Sequence, residues 1–329
     1  MSSLGLDSRQ KKSALIIGYN RPDLLERQLQ EVLRERDEVF IFIDGPKSKD
    51  DQRAIEAAKM ARDITQEKKA ATTKVHLKVA QSNLGCRMSI PTAINWAFEN
   101  TESLIILEDD ISATSEFFEF MDFALEKYRD HQNIYQINGW APVPTSSNYP
   151  PVFLSRHAFC WGWGTWKSKW QRMNLELDGL DVLKSLDDVI VNQGFNTNGT
   201  FKKIWRQRLL DCKNGKDTWD FQWYLSIWMN HGWSLALRDP LTSNLGFDEF
   251  ATRTRLVPKF LKDTPLVKKH ANSSLIEINR YLNENEVKHF PLIDFLFDQI
   301  LLNRKTCKGL NSILFNMIVG AKSKLRSIG

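Results

Sequence analysis

The 329-residue chain has no run of eighteen or more apolar residues, which excludes a helix of membrane-spanning length. Cysteine is scarce: Cys86, Cys160, Cys212 and Cys307 lie far apart, with no C-x-x-C and no paired histidines beside them. Neither a disulfide frame nor a zinc site is expected from that spacing, and reduced thiols in a cytoplasmic protein are. Residues 1–12 are polar and lack the apolar centre of a secretory signal, so they read as a tail before the first strand. No large excess of one charge exists; the formal balance is +5, and the aromatics do not alternate with a basic stripe. Nucleic acid is therefore not an expected partner. Also missing are a G-x-G-x-x-G before the first helix and any G-x-x-x-x-G-K-[ST], which removes support for dinucleotide-binding and P-loop classes.

What remains is a globular composition, 42% hydrophobic and 26% charged, at a length that buries one large core. Ser13 to Gly18 reads as a buried strand. Pro22 then suits the first position of a helix carrying Leu25, Leu29, Val32 and Leu33. Val39 to Ile43, Lys74 to Val79 and Ser103 to Leu107 repeat the strand signal, with helices expected over 50–68 and 87–98. Such alternation predicts right-handed βαβ units in a Rossmann-type, mostly parallel sheet flanked by helices. A helix over 116–128 capped by Ser115, a strand over 134–137 and a proline-rich loop over 141–151 follow. Beyond them come helices over 180–191, 202–210 and 218–230 and a strand over 234–237.

Three carboxylates, Glu108, Asp109 and Asp110, stand directly after the fourth strand. An open α/β sheet keeps its ligand crevice at that edge. Adjacent anions repel, so the triplet suits a hard divalent cation, Mn²⁺ or Mg²⁺, meeting an anionic ligand. A solvated acidic turn is the competing reading. Arg21, after the first strand, is placed to donate to a base or phosphate oxygen. Asp44, after the second, can accept from a base or ribose edge; a surface arginine and a turn aspartate are the plain alternatives.

Eleven tryptophans are the other conspicuous feature. Trp161, Trp163 and Trp166 share a short span with Gly162 and Gly164, and flat aromatic faces beside glycine suit a sugar ring. Trp140 and Trp219 join Trp161 and Trp163 in an expected acceptor wall. Trp166, Trp170, Trp223 and Trp228 read as core, as His157, His231 and His76 read as structural. Asp220, between Trp219 and Phe221, is an acid that is costly to bury without work or a partner. It is the candidate general base. Asp217 is its rival, and a helix-start cap is the alternative role.

Taken together, SALIIGYNRPDLLERQL, FIFIDGP, NLGCRMSIPTAINWAF and IILEDDI resemble the N-terminal half of a GT-A fold glycosyltransferase. The likeness is to the N-acetylglucosaminyltransferase I type and its bacterial relatives, and FCWGWGTWKSKW, TWDFQW and SNLGF resemble that group's acceptor-side segments. It covers roughly Ser13 to Phe247. The resemblance implies a nucleotide-sugar donor, a UDP-sugar such as UDP-N-acetylglucosamine, bound through Mn²⁺, and a glycan or glycolipid acceptor. It implies Asp110 as direct metal ligand, Asp109 near the ribose and metal waters, and Glu108 near the transferred sugar. Arg21 and Asp44 would hold the uridine, and Arg87 would approach the phosphates. The sequence here has E-D-D where many relatives have D-x-D, which leaves the sugar open.

The expected organisation is a tail (1–12), a nucleotide-sugar-binding half (13–140), an acceptor and catalytic half (141–250) and a basic helical extension (251–329). Phe290 to Leu302 and Leu310 to Val319 are apolar. The end carries Arg304, Lys305, Lys308, Lys322, Lys324 and Arg326 without an acid. That pattern fits peripheral contact with an anionic membrane face, a helical lobe or an oligomer contact. The expected activity is inverting transfer of a sugar to a hydroxyl, in the setting of bacterial surface polysaccharide. A retaining transferase, a nucleotidyltransferase and a non-catalytic carbohydrate-binding protein stay open.

Overall fold

The structure, a computed structural model, describes residues 12–67, 73–141, 149–193, 195, 199–247 and 273–302. Strands β1 (Ser13–Gly18), β2 (Glu38–Ile43), β3 (Lys74–Val79) and β4 (Ser103–Glu108) lie in the order β3-β2-β1-β4, all parallel. Helices α1 (Pro22–Glu35), α2 (Gln52–Glu67) and α3 (Gly85–Ala97) make the crossovers. Strand alternation sorts the core into two faces. Ala14, Ile16, Ile41, Ile105 and Leu107 pack with Leu25, Leu29 and the small residues Ala57 and Ala61 on one side. Leu15, Ile17, Phe40, Phe42 and Ile106 pack with Ile90, Ala93 and Ile94 on the other. Pro91 sits inside α3.

Past β4 the sheet changes character. Strands β6 (Ile134–Asn138), β7 (Val152–Ser155), β8 (Trp163–Trp166) and β9 (Trp233–Leu237) extend it to eight, in the order β4-β8-β6-β9-β7. β8 runs antiparallel to both β4 and β6, and β7 antiparallel to β9. The sheet is therefore parallel in its first half and mixed in its second, where the expectation was mostly parallel throughout. One sheet holds strands from both sides of the 141–151 loop, so the two halves share a frame. A separate two-stranded ribbon pairs β5 (Ile111–Ala113) with β10 (Thr242–Asn244).

WGTW is a central strand rather than a loop wall. Its alternation sends Trp163 into a cluster with Trp170, Trp219 and Trp223, while Trp166 goes to the opposite face and donates from Nε1 to the Leu125 carbonyl, 3.0 Å. Helices α4 (Ser115–Lys127), α5 (Lys167–Trp170), α6 (Val182–Asn192), α7 (Gly199–Lys213) and α8 (Asp220–Met229) complete the layers. The cap of α4 is Thr114, whose hydroxyl accepts from the Phe117 N–H; Ser115 is already its first helical residue.

Of the expected C-terminal extension, two helices are described, α9 (Ser273–Glu284) and α10 (Pro291–Leu302). The second helix expected over 310–319, the basic end and its membrane contact lie outside the described residues. Among the described residues no helix is long and apolar enough to cross a membrane. α10 docks through Ile293 and Phe297 against Phe153, Phe159 and Ala236, and through two buried acids. Asp294 accepts from the Ser155 hydroxyl and the Arg156 N–H and pairs with His289 at 2.8 Å, while Asp298 pairs with Arg156. Burial alone would raise the Asp294 carboxyl, but the His289 hydrogen bond, the charges of His157 and Arg156 and the Ser155 hydroxyl hold it below the usual 3.8. A depressed carboxylate stabilises above its unfolded value and loses that contribution as pH falls. The docking of α10 should therefore weaken below about pH 4. Proteolysis at α10 followed from about pH 5 to 3 should rise more steeply in the wild type than in Asp294→Asn; equal slopes would remove this carboxylate as the cause.

Candidate active site

The acidic turn forms where β4 ends. Glu108 is its last residue, paired in register with Ile17, and the Asp109 N–H donates to the Ile17 carbonyl at 2.9 Å. Asp109, 9% exposed, accepts at Oδ2 from the Tyr19 N–H, 3.0 Å. Asp110 accepts at Oδ2 from Arg21 Nη1, 2.5 Å, and the same nitrogen lies 3.8 Å from Asp109 Oδ1. The structure thus brings Arg21 from the β1–α1 turn onto the triplet, as a buried, charge-assisted pair.

Two further elements fix this turn. Gln28 of α1 donates from Nε2 to the Glu108 carbonyl at 2.6 Å and the Ile111 carbonyl at 2.8 Å. The sequence reading passed over Gln28; the signal was a polar residue three positions after Leu25, inside the apolar stripe. The β5–β10 ribbon brings in the second element, Leu245-Gly246-Phe247. The Leu245 N–H donates to the Asp110 carbonyl at 2.8 Å, and Arg21 Nη2 donates to the Gly246 carbonyl at 3.1 Å. A Cβ on Gly246 would stand 2.1 Å from Asp110 Oδ2 and 2.6 Å from Arg21 Nη1. Only glycine allows that approach.

Asp44 and Arg87 sit beside this turn in sequence logic but hold other partners. Asp44, 4% exposed, accepts from the Gly45 and Leu84 N–H groups at 2.8 and 2.9 Å and from the Asn83 amide at 3.0 Å. Burial raises its carboxyl, those N–H groups oppose the shift, and the Asp217 charge adds to it. Arg87 donates to the Cys212 carbonyl, 2.9 Å, and pairs with Glu176, which ties α3 to the acceptor-side helices. Asp217 accepts from the Arg87 N–H at 2.7 Å in the first turn of α3. Beside Asp44, Tyr19 donates its hydroxyl to Asp51 at 2.5 Å; burial and then that acid raise the phenol.

Asp220 opens α8, half-buried, and accepts from the Thr218 hydroxyl rather than from the N–H groups of its own helix. Its charge and that of Glu108 both act on the Cys160 thiol, which burial, then Asp220, then Glu108, push well above its usual value.

The four tryptophans of the expected wall separate. Trp163 and Trp219 are 1% and 3% exposed and stack on each other, ring centroids 5.7 Å apart. A sugar face needs an open ring, so these two are core, a correction that follows from β8 being a central strand; Trp140, 7% exposed among Phe159, Phe153 and Phe297, is core as well. Trp161 is partly exposed, 4.3 Å from the Trp140 ring and 5.8 Å from Phe247, and its carbonyl accepts from the Thr242 hydroxyl. That places the Trp140–Trp161–Phe247 group beside the loop that holds Asp110.

Comparison with known proteins adds a match over part of the chain. Residues 19–151 match the model of the family described as glycosyltransferase family 25 (LPS biosynthesis protein). No curated protein matches the chain. Among solved structures, the first 349 residues of TarS from S. aureus align at 11% identity over 92% of this chain and 77% of that one, TM-score 0.41. The 4-diphosphocytidyl-2C-methyl-D-erythritol synthase of Anaerococcus prevotii DSM 20548 aligns at 15% identity over 48% and 71%, TM-score 0.30. The matched segment, less than half of the chain, runs from the β1–α1 turn through the acidic turn and supports glycosyltransferase activity in general.

Proposed function

We propose that the chain transfers a sugar, with inversion, from a nucleotide-sugar to a hydroxyl of a glycan or glycolipid. The donor is proposed to be a UDP-sugar such as UDP-N-acetylglucosamine, in keeping with the N-acetylglucosaminyltransferase I likeness. The observation that carries the reading is the acidic turn at the end of β4, where Asp109 accepts from the Tyr19 N–H and Asp110 holds Arg21. Inversion needs a base that takes the acceptor proton on the side away from the departing diphosphate. Asp220 is assigned that proton, with the Thr218 hydroxyl orienting its carboxylate. Trp161 is assigned to the sugar, with Trp140 packed against it from behind.

A divalent cation fits the acidic turn on donor chemistry. The side chains offer hard oxygens, a guanidinium already stands at Asp110 as a cation would, and Gly246 leaves the carboxylate uncrowded. Among the described residues no group of three or more ligating side chains occurs, so most ligands would come from diphosphate and water. Asp110 would hold the ion with Asp109 beside it, and the ion would supply charge stabilisation to the leaving diphosphate. Arg21, Asp44 and Tyr19 are assigned to the nucleotide and Glu108 to the transferred sugar. Arg87, held on Glu176 and Cys212, is assigned to positioning α3.

Calorimetry with UDP, GDP and CDP, with and without Mn²⁺, tests the donor half. UDP should bind with Mn²⁺, and Asp110→Ala should weaken it by about 100-fold, the scale of losing a charged ligand to a metal-bound diphosphate. UDP binding that ignores both Mn²⁺ and Asp110 would sink the reading.

A further inference from the structure

The carboxylate assigned to the divalent ion already has a cation on it. Arg21 is 8% exposed, its Nη1 lies 2.5 Å from Asp110 Oδ2 and 3.8 Å from Asp109 Oδ1, and its Nη2 donates to the Gly246 carbonyl. The pocket for this guanidinium is built, since a single methyl on Gly246 would fall 2.6 Å from Nη1. A divalent ion and a guanidinium on the same carboxylate oxygen repel each other, and burial strengthens the repulsion. Holding both on Asp110 at once is therefore costly unless an anion joins them. A diphosphate, by contrast, offers the guanidinium fork a better-matched anion than one carboxylate does. The backbone of Arg21 is fixed, because its carbonyl accepts from the Leu25 N–H at 3.0 Å as α1 begins. The side chain is what can move, at the edge of the sheet where ligands bind.

We propose that Arg21 is an exchange cation: without nucleotide it occupies Asp110 and excludes the divalent ion, and with nucleotide it passes to the diphosphate and releases Asp110. This rests on the donor-site reading above. Nucleotide and metal then bind cooperatively, and the coupling is reciprocal. Arg21 is a positioning residue here, and its removal should improve one binding event while harming another. A purely structural arginine has no such signature.

The test is titration of Mn²⁺ into the full chain without nucleotide, read by the electron paramagnetic resonance of free Mn²⁺, then repeated with saturating UDP. Arg21→Gln should bind Mn²⁺ about tenfold more tightly than wild type without UDP, and the tightening that UDP gives should shrink by about the same factor. Arg21→Lys keeps a point charge that cannot bridge Asp110 and the Gly246 carbonyl together, so it should shift both quantities the same way by less. Mn²⁺ affinity that is unchanged or weaker in both folded variants would overturn the exchange. Failure of the wild type to bind UDP would instead overturn the donor-site reading, and the nucleotide-free Mn²⁺ titration would still decide the role of Arg21.

Discussion

Asp220→Asn should lower kcat by about 10²–10⁴-fold, the usual contribution of a general base, while leaving UDP affinity with Mn²⁺ within about twofold of wild type. The amide keeps the shape and the hydrogen bond from Thr218 but cannot take a proton. Because α8 has Trp219 as its N-cap residue with no side-chain cap bond, losing the charge at Asp220 leaves no helix N–H unpartnered. Stability should therefore change little, which separates a base from a cap. The rival acid behaves oppositely. Asp217 accepts from the Arg87 N–H, and Asp217→Ala should cost about 1 kcal/mol of stability with turnover largely kept. Turnover of a UDP-sugar and acceptor, beside thermal melting of both variants, checks the pair. An Asp220→Asn enzyme that turns over normally would remove Asp220 from the chemistry.

The parallel half of the fold was readable because each strand there is a short apolar run ended by a turn signal, and each helix opens on Pro22 or carries a clear stripe. The position of the acidic triplet followed from that pattern, since the end of β4 in a parallel sheet is a ligand edge. The second half resisted for a physical reason. WGTW has no polar alternation to mark it as a strand, since both of its faces are buried, and large aromatics suit a core strand and a sugar wall equally well. Trp163 and Trp219 were misassigned on that ambiguity. Asp44 could be placed at its strand end, but no local pattern shows that Asn83 and Leu84, forty residues on, would bond to its carboxylate. Gly246 was visible only as part of a familiar segment. Its closeness to Asp110 comes from the β5–β10 ribbon, a pairing between residues about 130 apart.

Gly246→Ala tests whether that ribbon serves the acidic turn, and it should weaken UDP binding with Mn²⁺ by about 100-fold or more while the fold persists. The added methyl would stand 2.1 Å from Asp110 Oδ2 and 2.8 Å from its Cγ, well inside contact distance, so the carboxylate must turn away or the 245–247 segment must lift. Either movement takes the Asp110 carboxylate away from the place where it would meet the ion. The damage is local because the ribbon bonds at 242–244 and the eight-stranded sheet do not pass through Gly246. Melting within a few degrees of wild type, combined with lost UDP binding, is the expected outcome. Lost stability with UDP binding intact would mean that the loop closes the fold and leaves the donor site alone. Glycine is needed here for space and not for an unusual backbone angle, so Gly246→Ser should behave like Gly246→Ala. Restored binding in Gly246→Ala through a second change, Asp110→Gly, is not expected, because the space gained would come at the loss of the carboxylate that the site is built to hold.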